Sequence, residues 1–137
     1  MTPEEARGRF LDAQVAHLAT ADARGVPHLV PVTFAVDGNR IVTAVDGKPK
    51  RGTRLRRIDN IAANPAVTLL VHAYDEDWSR LWWARADGVA AVIADGDAGT
   101  HAITLLRARY PQYAAVSIDG PVIVVDVRRW SGWTAEG

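Results

Sequence analysis

The triplet Asp37-Gly38-Asn39 separates two β-rich runs, His28 to Val36 and Arg40 to Val45, and it constrains the fold more than any other feature of the chain. Gly and Asn accept positive φ, so the triplet predicts a tight hairpin and makes its flanking strands antiparallel neighbours. A further apolar run, Val15 to Ala21, precedes them across the turn Asp22-Ala23-Arg24-Gly25, giving an antiparallel meander. Three more β-rich runs follow: Ala66 to Tyr74, Trp78 to Ala94 with a bend near Asp87-Gly88, and Pro121 to Trp130. Helical signals lie between them. Thr2, Pro3 and Glu5 form a capping box before Ala6, Phe10 and Leu11; Leu55, Ile58, Ile61 and Ala62 share a side before Asn64-Pro65; and Asp97 caps a helix to about Tyr110 with Ile103 and Leu106 inward. The expectation is a mainly β (α+β) fold: a six-stranded antiparallel barrel with two or three peripheral helices.

At 137 residues the chain suits one domain, residues 1–137. Its 16 basic and 16 acidic residues cancel, which argues against a partner found through overall charge, so neither nucleic acid nor a membrane surface is expected. The absence of cysteine excludes disulfides and thiolate chemistry. No run approaches a membrane span and the acidic start lacks a leader pattern, so a cytoplasmic protein is the default expectation.

The balance is not uniform. Fourteen of the basic residues are Arg, and the two lysines both fall in Lys48-Pro49-Lys50-Arg51-Gly52-Thr53-Arg54-Leu55-Arg56-Arg57. This segment leaves a strand and enters a helix, which gathers backbone N–H groups, a helix dipole and cations where an anion can be held. A solvated helix face is the competing reading, but Pro49 stiffens the loop and favours binding. Gly47 to Gly52 has P-loop spacing, yet Thr53 stands where that motif requires Lys, and no dinucleotide-type Gly pattern follows a strand. Asp77-Trp78 and Trp82-Trp83-Ala84-Arg85 form a second cluster. Adjacent strand residues face opposite ways, so one of Trp82 and Trp83 fills the core and the other meets a ligand or partner. His17, His28, His72 and His101 lack ligand spacing, so no metal is expected, and no nucleophilic triad stands out. A bound cofactor is the remaining route to catalysis.

Taken in order, Ala19-Thr20, Gly25 to Val32, Lys48 to Arg51, Asn60 to Val67, Asp77-Trp78 and Trp82 to Arg85 resemble the pyridoxamine phosphate oxidase-like split β-barrel (FMN-binding split barrel, Greek key). Their closer resemblance is to its branch of deazaflavin-dependent oxidoreductases that use coenzyme F420. The resemblance implies a homodimer with cofactor sites at the subunit interface and a small-molecule substrate. It assigns the cofactor phosphate to Lys48, Lys50 and Arg51, with Arg54 and Arg57 near a charged tail, and the ring to Pro31, Val32 and Thr33 and to Thr43, Ala44 and Val45. Trp78 comes from the other subunit as a cover. The loop departs from the form common in FMN oxidases, and no pyridoxal phosphate site is recognisable, which sets vitamin B6 oxidation aside. Six clustered cations suit the long anionic tail of F420 better than the single phosphate of FMN. The expected activity is hydride transfer between F420 and an unsaturated organic acceptor, with Tyr74 and His28 as candidate proton donors. The alternatives are an FMN-binding oxidase or reductase, or a cofactor-binding protein without catalysis.

Overall fold

A computed structural model describes residues 1–45, 55–118 and 120–136. The elements run α1 (Pro3–Asp12), β1 (Ala16–Ala21), β2 (Pro27–Val32), β3 (Ala35–Asp37), β4 (Arg40–Ala44), α2 (Arg56–Ala63), β5 (Ala66–Ala73), β6 (Trp82–Ile93), α3 (Asp97–Arg109) and β7 (Val122–Thr134). Short 3-10 turns occupy Trp78–Arg80 and Pro111–Ala114.

The expected six-stranded antiparallel split barrel is corrected in strand number: one antiparallel sheet has seven strands, in the order β2-β1-β5-β6-β7-β4-β3, whose end strands do not pair with each other among the described residues. The extra strand arises because the run His28 to Val36 breaks at Thr33-Phe34. Its first half pairs with β1 and its second with β4, so the expected meander survives with its two halves on opposite edges of the sheet. That corner dictates the shape. Val32 and Ala35 are three peptide units apart, roughly 11 Å at most, whereas seven flat strands span about 29 Å. The sheet must therefore roll until its edges meet at this end, leaving a seam along β2 and β3.

Inside the roll lie Leu18, Ile41, Leu69, Val71, Ile123 and Val125, with Phe10 of α1 inserted from one end. Phe10 packs edge-on against Phe34 and Trp130, with ring centroids 5.7 and 5.4 Å apart. The capping box forms as expected: Thr2 Oγ1 accepts from Glu5 N–H, and the Glu5 carboxylate accepts from Thr2 N–H. A second cluster lies outside β3 and β4, where Ala102, Leu106, Tyr110 and Tyr113 cover Ala35, Val42, Ala44 and Val122. This explains why both faces of β4 are buried from Ile41 to Ala44.

The expected bend is a register shift at Asp87/Gly88 between β6 and β7. Only Gly fits there, since a Cβ at residue 88 would stand 2.4 Å from the Asp126 carbonyl oxygen. Two boundaries differ from expectation. Gly96, at φ 92°, rather than Asp97, occupies the N-cap of α3, and Trp78 lies in a turn rather than in β6. No described helix is long and apolar enough to cross a membrane.

Candidate cofactor site at the seam

Pro31, Val32 and Thr33 end β2 at the corner, and Thr43, Ala44 and Val45 end β4 beside it. The Thr43 hydroxyl donates to the Thr33 carbonyl over 2.7 Å, which links the two strand ends directly. Five of the residues expected at a ring site or charged tail, Pro31, Val32, Thr33, Ala44 and Arg57, line one open cleft of about 220 Å³, together with Val15. Thr43 and Val45, 1 % and 6 % exposed, are buried and do not line it. Lys48, Lys50, Arg51 and Arg54 lie outside the described residues. In the sequence they fall between Ala44 and Arg57, both of which line the cleft.

A second cleft of about 280 Å³ shares Val15 and Thr33 with the first and is otherwise lined by Gln14, Tyr110, Gln112, Tyr113 and Val116. Its lining carries no formal charge, in contrast to the first. Thr33 Oγ1 and Tyr113 Oη lie 2.7 Å apart on the common wall. The sequence reading missed Val15, Gln112, Tyr113 and Val116. A signal was available in Tyr110-Pro111-Gln112-Tyr113, where a proline one residue past the C-cap of α3 ends the helix and starts the turn that carries Tyr113.

Two expected residues lie elsewhere. Tyr74 is 71 % exposed just past β5, and His28, on β2, pairs with Thr20 across β1, next to the buried Asn60 that donates to Thr20 Oγ1. Neither lines the two seam clefts. Trp78 is 69 % exposed on a turn capped by Asp77, whose carboxylate accepts from the Ser79 hydroxyl and N–H. Those bonds hold the Asp77 carboxyl below its ordinary range. Of the tryptophan pair, Trp82 packs partly into the inner cluster and takes Arg9 over its ring, while Trp83 faces outward beneath Arg85. Arg85 in turn pairs with Asp87 at 3.1 Å. Among the described residues no group of three or more His, Asp or Glu is placed to hold a metal ion.

The family model described as pyridoxamine 5'-phosphate oxidase matches residues 2–134. Solved structures with the same fold include a conserved hypothetical protein from Mycobacterium tuberculosis, 20% identical with a TM-score of 0.78 over 99% of this chain and 86% of that one. A FAD-binding protein from Mesorhizobium loti is 18% identical, TM-score 0.72, covering 96% and 94%. The heme storage protein HutZ from Vibrio cholerae is 15% identical, TM-score 0.71, covering 96% and 92%. No curated protein matches the chain in sequence.

Proposed function

This chain belongs to the pyridoxamine 5'-phosphate oxidase family, and from that premise we propose that it is an oxidoreductase that binds coenzyme F420 at the seam and serves hydride transfer to an unsaturated organic acceptor. The observation carrying this reading is the first cleft. Its lining combines the short apolar Val15, Pro31, Val32 and Ala44, which suit a flat ring, with Thr33 and Arg57, and the sequence between Ala44 and Arg57 carries four cations between positions 48 and 54. When bound, the deazaflavin supplies the hydride.

The chain's own residues bind, orient and exclude water. Lys48, Lys50 and Arg51 hold the anionic tail, with Arg54 and Arg57 along it, each charge-assisted contact contributing about 1.5 to 3 kcal/mol. Thr33, held by Thr43 and Tyr113, fixes the ring edge. The acceptor occupies the second cleft, whose uncharged lining favours a neutral conjugated molecule and includes the Tyr113 hydroxyl that shares a hydrogen bond with Thr33. A cleft of about 220 Å³ is smaller than the roughly 300 to 1,000 Å³ of complete ligand pockets. A second copy of the chain, bringing its Trp78, completes the site in a homodimer.

FMN is the second reading, favoured by the FAD-binding relative of the same fold. Replacement of Lys48 and Lys50 together by Ala tests the assignment. F420 affinity is expected to fall at least a hundredfold, from the loss of two charge-assisted contacts. Unchanged affinity in the double variant removes the loop from the site.

A further inference from the structure

We infer that Arg109, with Tyr110 beside it, is the positioning latch of the seam: it ties together the two segments that form the wall between the clefts and so sets the spacing of Val15 and Thr33. Neither segment is held by strand pairing at this point. Residues 13–15 link α1 to β1, and Thr33-Phe34 is the break between β2 and β3, so backbone groups in both lack ladder partners.

The last residue of α3 and the one after it supply those partners. Arg109 Nη1 donates to the Phe34 carbonyl at 2.7 Å. Its Nη2 faces the carbonyls of Leu11, at 3.2 Å, and Ala13, the open end of α1, where a cation also suits the helix dipole. The guanidinium lies over the Phe34 ring, 4.6 Å from its centroid, which fixes its plane. The Tyr110 hydroxyl accepts from Phe34 N–H at 3.1 Å and donates toward the carbonyls of Gln14 and Phe34, each at 2.9 Å. Two side chains thus clamp the same two segments from one side. Arg suits this place because its planar fork aims Nη1 at one segment and Nη2 at the other, a fixed spread that the compact ammonium of Lys does not reproduce.

The consequence for function rests on the seam being the cofactor site. Val15 and Thr33 line both clefts, so their spacing governs how a ring in one meets a molecule in the other. Arg109 touches neither cleft and acts through these two residues.

The test combines hydrogen exchange, read by mass spectrometry, with F420 titration on the full-length chain and its Arg109→Ala, Arg109→Lys and Tyr110→Phe variants. Arg109→Ala is expected to lose protection at residues 13–16 and 33–36 while β5 and β6 keep theirs, and to bind F420 about tenfold more weakly. Dilute guanidinium, but not urea at the same concentration, restores part of that affinity. Arg109→Lys loses the same local protection, and Tyr110→Phe, which removes one hydroxyl, exposes the Phe34 amide; both stand in if Arg109→Ala does not fold. Unchanged protection in both segments, or protection lost evenly across the sheet, overturns the latch. If the wild-type chain does not bind F420, the cofactor reading fails, and the exchange pattern still decides whether the latch exists.

Discussion

Two parts of one sheet obey the same alternation and end in opposite states. On β4, Ile41 points into the roll and Val42 points out, and both are buried, because α3 and the turn after it lie across the outer face. On β1 and β5 the inward residues Leu18, Leu69 and Val71 are buried just as completely, but the outward His17, Thr68 and Leu70 stay half-exposed. Arg85 and Asp87 of β6 continue that row, and the His17 and His72 rings stack at 5.8 Å on it. The chain covers one outer face with its own helix and leaves the other mixed, neither fully polar nor buried. That is the character expected of a surface that a second copy covers, in keeping with the homodimer proposed above.

The comparison breaks most visibly on the covered side. Leu106→Ala empties a fully buried position on the inner side of α3 and is expected to lower stability by about 2 to 5 kcal/mol in urea unfolding, with the oligomeric state unchanged. On the other side the effect should be on association. Leu70→Asp places a charge in the half-exposed row and is expected to shift sedimentation to the monomer, with a smaller loss of stability than Leu106→Ala. A variant that sediments as the wild type does shows that this face meets water and not a second copy.

The smallest effect concerns pH. Glu5 lies below its ordinary value of 4.5 because Thr2 N–H and then the Thr2 hydroxyl bond to its carboxylate. A lowered folded-state pKa favours the folded form at pH above that ordinary value, and the contribution disappears as pH falls through the folded-state pKa. Acid should therefore loosen α1, which carries Phe10, ahead of the sheet, and Glu5→Gln should flatten this dependence in α1 amide exchange. Asp77 has the same sign, so the turn bearing Trp78 loosens over a similar acidic range.

What the sequence revealed was local. Asp37-Gly38-Asn39 specified its hairpin, Thr2 and Glu5 their capping box, and the spacing of Leu106 its inward side, because neighbours a few residues away decide each of these. The corner was hidden for the opposite reason. Val32-Thr33-Phe34-Ala35-Val36 reads as unbroken strand, with no Gly or Asn to mark a break, and what ends pairing there is bonding from Thr43, Arg109 and Tyr110, up to 76 residues away. The candidate site divides the same way. Charge marked the basic segment, and resemblance marked Pro31, Val32, Thr33, Ala44 and Arg57, which line one cleft. Val15 was brought in only by tertiary folding, and for Tyr113 the one local signal was the proline after α3.

The central claim, that the seam is a deazaflavin site, is met most directly by a fluorescence-quench titration of the purified wild-type chain with coenzyme F420 and FMN side by side. The account predicts a colourless protein that binds F420 with submicromolar affinity, one per chain, and FMN at least tenfold more weakly. A yellow protein that prefers FMN, or one that quenches neither cofactor, contradicts it.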